Sequence, residues 1–225
     1  MYRYFCEISY NGTDYCGWQI QPNGISVQET LNKYFTTILR ENIELTGAGR
    51  TDAGVHAKGM TAHFDVTTPI IDIQKFISNI NNFLPPSIAI NIIYPVKNDA
   101  HSRFSALGRR YEYHIIQKKS PFFTNTAYKY TKELDIEVMN MACEELKKYS
   151  DFTSFSKVHT DVKTFICSIK EAYWIKNNDH IIFTIEADRF LRNMVRAIVG
   201  TMLDVGTHKI SISQFKQIIE SKNRC

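Results

Sequence analysis

The sequence predicts a mixed α/β protein, and three observations lead there. Alternating runs such as Tyr2–Tyr10 read as strands, because successive strand side chains point to opposite faces. Runs with apolar residues three and four apart, such as Val27, Leu31, Phe35 and Ile38, read as helices. The two kinds follow one another along the chain, with no linker long enough to separate independent domains. The 225 residues suggest two similar halves meeting near residue 100, set here as 1–102 and 103–225, although no sequence identity between them is evident.

The first strand, Tyr2 to Tyr10, stops at the turn signal Asn11-Gly12. A loop from Gly12 to Gly24 follows. Ser26-x-x-Glu29 is a capping box that opens the first helix. A glycine-rich loop then leads to a strand over Met60–Val66. Asp72 to Phe83 reads as a helix with the stripe Ile73, Phe76, Ile77 and Ile80, stopped by Pro85-Pro86. Ile88–Tyr94 reads as a buried strand, and Arg103–Gln117 as loop then strand. A third helix spans Asp135–Tyr149. Strands near Phe165–Ile175 and Ile181–Ala187 are joined by the polar turn Asn177-Asn178-Asp179. A fourth helix spans Phe190–Leu203, and a fifth starts near Ser213.

The composition is that of an ordinary globular protein, 44% hydrophobic and 22% charged. A net charge of +4 permits a polyanionic partner without requiring one. The five cysteines, Cys6, Cys16, Cys143, Cys167 and Cys225, form no C-x-x-C pair and read as reduced thiols of a cytosolic protein. No secretory signal is visible and no apolar run suffices to cross a bilayer. His56 and His63 complete no ligand set, so no metal is expected.

Three stretches carry candidate chemistry. In Gly47-Ala48-Gly49-Arg50-Thr51-Asp52-Ala53-Gly54-Val55-His56-Ala57, a cation and a carboxylate sit on a glycine-rich loop between apolar runs. The loop holds either a reactive Asp52 or an ordinary turn at Thr51-Asp52. The stretch Arg103-Phe104-Ser105-Ala106-Leu107-Gly108-Arg109-Arg110-Tyr111-Glu112-Tyr113 sets arginines beside tyrosines. That mixture suits extruded nucleotides, with arginine on phosphate and an aromatic face under a base, but also suits a strand with its tyrosines in the core. In Asp188–Gly200, Arg189, Arg192 and Arg196 fall on one face of the predicted helix, which serves equally well as a solvated basic face.

All three stretches resemble the TruA family of tRNA pseudouridine synthases, and the resemblance runs from Tyr10 to about Arg224. The first matches the family's catalytic signature. The second matches Arg-Phe-Ser-Ala-x-x-Arg-x-Tyr-x-Tyr and the third Phe-Leu-x-x-Met-Val-Arg-x-Ile-Val-Gly. The resemblance implies a mainly antiparallel central sheet flanked by helices, with an active-site cleft between the halves. It implies that Asp52 is the essential catalytic residue, that Tyr111 stacks on the target base, and that a buried Arg196 pairs with Asp52 and keeps it ionised. Arg50 is the candidate to fill the gap left by the flipped base; Arg103, Arg110, Arg189 and Arg192 are candidate RNA contacts. The implied activity is isomerisation of uridine in the anticodon stem-loop of tRNA, at positions 38–40, by a cytoplasmic homodimer without cofactor. Trp18, Gln19, Gln21, Pro22, Val27 and Gln28 match a further block and are read as packing. The sequence departs from the pattern at Lys148–Phe152, Lys163 and Arg192-Asn193. It also stops at Cys225, where the family runs on into a segment lining the active site, and this leaves RNA binding without catalysis as the alternative.

Overall fold

The computed structural model describes residues 1–157 and 163–223. The chain forms two compact units, Met1–Ala106 and Leu107–Cys225. Each holds a four-stranded sheet, the first antiparallel throughout and the second antiparallel except for one two-residue strand. Five α-helices occur among the described residues, and none is long and apolar enough to cross a membrane.

In the first unit, β1 (Tyr2–Tyr10) is flanked by β3 (Ala57–Val66) and β4 (Ile88–Val96), while β2 (Thr46–Gly47) extends the β3 edge. Strand alternation decides the packing. Tyr4, Cys6, Ile8 and Tyr10 of β1 are buried, as are Phe64 and Val66 of β3. They pack with Leu31 and Phe35 of α1 (Val27–Leu39) and Phe76 and Ile80 of α2 (Ile73–Phe83). Phe35 meets Phe64 and Phe76 edge to face, at 5.0 and 5.8 Å, a favoured aromatic geometry. On the opposite face of the sheet Arg3 forks onto its cross-strand neighbour Asp65 through two bonds of 2.8 and 2.7 Å. This pairing holds the Asp65 carboxyl below its usual range.

The helix starts follow from their caps. Ser26 Oγ accepts from the Glu29 N–H (3.1 Å) and Asp72 Oδ1 from the Lys75 N–H (2.9 Å). A reciprocal capping box forms at Ser211 with Gln214, which starts α5 (Ile212–Glu220). The strand predicted as buried over Ile88–Tyr94 is instead an edge strand with only one face covered: Ile88, Ile90 and Ile93 are buried, while Ala89, Asn91, Ile92 and Tyr94 are exposed.

In the second unit, β8 (His180–Ala187) lies between β5 (Arg109–Ile116) and β7 (Ile169–Asn177). The two-residue β6 (Tyr128–Lys129) runs parallel to β5. Trp174 stacks on Phe183 at 4.6 Å within a core that includes α3 (Ile136–Leu146), α4 (Met194–Gly206) and α5.

The fourth helix corrects the sequence reading. It begins at Met194, four residues after Phe190, because Asn193 adopts a left-handed backbone (φ 66°) that a helix interior does not tolerate. The preceding corner has its own bonds. Asp188 Oδ1 accepts from the N–H groups of Ser168 and Arg189, both at 2.7 Å, and the Lys157 N–H donates to the Arg192 carbonyl at 3.0 Å. Arg189 and Arg192 are therefore off the helix, and the expected three-arginine helical face does not exist.

Candidate functional site

The Gly47–Ala57 stretch of the first unit is a loop clamped along its length. Thr46 and Gly47 pair with His63 and Ala62 of β3, and the Ala48 N–H donates to the Thr61 carbonyl (2.8 Å). The Thr51 carbonyl accepts from the Trp18 N–H (3.3 Å), and the Thr51 hydroxyl meets the Tyr10 phenol (3.0 Å). The Gly54 N–H donates to the Tyr15 carbonyl (3.3 Å), and the Gly12 N–H to His56 Nδ1 (3.0 Å).

Asp52 begins a tight turn, its carbonyl accepting from the Val55 N–H (3.2 Å). Gly54, third in that turn, takes the positive φ (77°) that a type II turn demands there. The turn and the reactive-group readings of Asp52 are thus compatible, since the turn is closed by main chain. Asp52 is half-buried and Arg50 exposed.

The Gly12–Gly24 loop supplies this rigidity, and sequence reasoning missed its two key glycines. A Cβ on Gly12 would collide with the Val55 carbonyl, and one on Gly17 (φ 90°) with the Thr51 carbonyl. These contacts join residues about forty apart, so nothing local in the sequence announces them. Of the six residues read as packing, Trp18, Val27 and Gln28 are buried and Gln19 is half-buried, whereas Gln21 and Pro22 are exposed. Trp18 is 1% exposed, and the buried Gln28 amide accepts from Gln19 Nε2 (2.9 Å) and donates to the Leu45 carbonyl (2.7 Å).

A second buried node sits behind the loop. Ser102 donates through Oγ to the Thr46 carbonyl (2.7 Å) and through its N–H to His63 Nδ1 (3.3 Å). His63 Nδ1 also meets Ser102 Oγ at 2.9 Å. Burial first, then the positive charge of Arg3 and the neighbouring His101, push His63 down to about 4, against a smaller opposing pull from Asp65. In the unfolded chain a histidine titrates near 6.5, at about the ordinary value. Between those two values the unfolded state binds a proton that the folded state refuses, so stability falls as pH drops across this window. The melting temperature is expected to decline between about pH 7 and pH 4.5. The decline should be shallower in His63→Asn, which keeps an acceptor near the Nδ1 position without a titrating ring. An equal decline in both proteins would remove His63 as the cause.

In the second unit, Tyr111 is half-buried on β5, its ring edge-on to Phe190 at 5.1 Å. Arg110, also on β5, pairs with Glu171 (2.7 Å) and Glu186 (3.0 Å). Arg196, on α4, is exposed and not buried as expected, because it lies on the polar side of a helix whose Met194, Ile198 and Met202 fill the core. It lines an open recess of about 330 Å³ with Tyr113, Tyr128, Asn193 and Gly200. Burial raises the Tyr113 phenol above its ordinary value, and the Arg196 charge partly offsets this. Sequence reasoning gave Tyr113 no role of its own and missed Tyr128, which lies on a strand too short to leave a pattern. Arg103 belongs to the first unit; Arg189 and Arg192 lie in the corner before α4. The described residues bring no three metal-ligating side chains together. Arg224 and Cys225, at the end of the resemblance, lie outside the described residues.

The sequence matches the family described as tRNA pseudouridine synthase over residues 8–105 and 142–225. It is 53% identical over 224 residues to the protein named tRNA pseudouridine synthase A of Bacteroides fragilis, covering 99% of this chain and 89% of that one. With the protein of that name from Clostridium acetobutylicum it shares 40% identity over 219 residues, 96% of this chain and 89% of the other. The Francisella tularensis subsp. novicida protein is 39% identical over 228 residues, covering this chain fully and 87% of its own length. A match across most of the chain, joined to relatives this similar along nearly all of it, makes the chain a member of the tRNA pseudouridine synthase family, whose enzymes are isomerases.

Proposed function

We propose that this chain isomerises uridine to pseudouridine in the anticodon stem-loop of tRNA, at positions 38–40, with Asp52 as the essential carboxylate. The observation that carries this reading is the clamped loop presenting Asp52, in a chain of this family. A catalytic carboxylate has to be held to within a fraction of an ångström, and a loop tied down at both ends and in the middle meets that need.

The reaction breaks N1–C1′, turns the uracil, and joins C5 to C1′; the C5 proton leaves and N1 takes one up. C1′ passes through a cation-like state, as in glycoside hydrolysis. Asp52 stabilises that carbon or bonds to it. Water must be excluded, because the detached uracil is itself the next nucleophile. Tyr111 stacks on the base and, with water, is a candidate for removing the C5 proton. The family resemblance gives Arg196 its place in the catalytic set. The target base leaves its stack at a cost of about a few kcal/mol, and Arg50 fills the gap. Arg103, Arg189 and Arg192 contact phosphates; Arg110 does so by exchanging a glutamate for a phosphate. The enzyme acts in the cytoplasm as a homodimer.

The test is to map pseudouridine in tRNA incubated with the protein, by carbodiimide labelling and mass spectrometry. Product confined to positions 38–40 is the expected result. Product only elsewhere would refute the site assignment. Binding of tRNA without any product would leave a protein that only binds RNA.

A further inference from the structure

Phe104 is 77% exposed, a large apolar ring presented to water. Its backbone does not depend on that ring. The Ser105 N–H donates to the His101 carbonyl (2.8 Å), the His101 N–H to Ser105 Oγ (3.1 Å), and the Arg103 N–H to His101 Nδ1 (3.1 Å). This self-bonded turn is anchored by Ser102, 2% exposed, to Thr46 at the base of the Asp52 loop and to His63 on β3.

Aromatic contacts continue outward from the anchor. His63 meets His101 edge-on at 4.6 Å, and His101 backs Phe104 at 4.4 Å. The Arg103 guanidinium lies 5.7 Å from the Phe104 ring centroid. A ring carried on a bonded turn and backed by a second ring, while most of its surface faces solvent, has part of its ordering cost met before any ligand arrives. Beside it stands a cation suited to phosphate.

We propose that Phe104, backed by His101 and flanked by Arg103, is a stacking site for an unpaired base of the bound tRNA. The proposal rests on tRNA being the substrate and adds a contact remote in kind from the chemistry: it contributes affinity through a π-face, which every base offers. Because the ring is exposed and its turn is bonded without it, removing the ring leaves the fold intact.

The experiment compares wild type, Phe104→Ala and Phe104→Tyr for binding of transcribed tRNA over a range of salt, and for kcat/KM of pseudouridine formation. Stacking on one ring is worth about 1–3 kcal/mol, so Phe104→Ala should weaken tRNA binding about 5- to 150-fold. Its kcat/KM should fall in the same proportion, at an unchanged melting temperature. The salt slope should match wild type, since no ionic contact is lost. Phe104→Tyr should restore binding. Binding of Phe104→Ala within about twofold of wild type would overturn the proposal. So would a loss that tyrosine fails to restore, or a changed oligomeric state with tRNA affinity intact. Should wild type itself form no pseudouridine, the functional reading fails; equal activity of wild type and Phe104→Ala would sink the stacking site alone.

Discussion

Asp52→Ala is expected to lower the rate of pseudouridine formation by at least about 10⁴-fold, the order seen when a group acting directly on the reacting atoms is removed. Its affinity for tRNA should stay within about threefold of wild type, because the loss concerns stabilisation made only in the transition state. The melting temperature should barely move. Asp52 is half-buried, and the loop around it is held by main-chain bonds and by Tyr10, Thr51 and Trp18. Asp52→Asn is the sharper variant, since it keeps the shape and removes the charge. Product yields measured by mass spectrometry, together with tRNA binding, separate the outcomes. An active Asp52→Asn enzyme would show that the negative charge is not what the reaction uses.

The second large effect is expected at a residue that touches no substrate. Gly17 has φ 90°, where a side chain is strained by about 1–3 kcal/mol, and its missing Cβ leaves room for the Thr51 carbonyl. Gly17→Ala must push away either the Trp18 segment or Thr51, the neighbour of Asp52. A displacement of about 1 Å at the reacting groups costs roughly 100-fold in rate. The expected result is a kcat reduced by about that factor, a KM for tRNA within about threefold, and a melting temperature lower by several degrees. Gly59→Ala on β3 is the control, because a Cβ built there meets only ordinary contacts, the nearest at 3.4 Å on the Glu7 side chain. A Gly17→Ala protein with lowered stability but unaltered kcat would mean that the clamp supports the fold and not the chemistry.

Local signals in the sequence carried as far as local physics decides the outcome. β1, α1 and α2 are set by periodicity and caps, and Asp72 and Pro85-Pro86 bound α2 where the sequence places them. The start of α4 was not legible, because Leu191, Met194, Val195 and Ile198 keep a helical spacing across Asn193. What breaks that helix is a left-handed backbone at Asn193 together with bonds to this corner from Ser168 and Lys157, which come from other segments. β6 owes its existence to pairing with β5 and leaves no pattern in two residues. The same division holds at the site. The Asp52 loop stands out through its glycines and its resemblance to a known signature. Its clamp is built from Gly12, Gly17, Tyr10 and Tyr15, and its anchor from His63 and Ser102, pairs too distant in sequence for spacing to connect. Arg110 read as an RNA contact because the acids that meet it, Glu171 and Glu186, lie on other strands.

The most direct test is tritium release from tRNA labelled at uridine C5. Carbon–carbon bond formation at C5 must expel that hydrogen, and tight binding alone cannot. Wild-type protein should release label in step with pseudouridine appearing, and Asp52→Ala should release none above background. Release by the two proteins at the same rate, or label retained by a wild type that binds tRNA, would contradict the account.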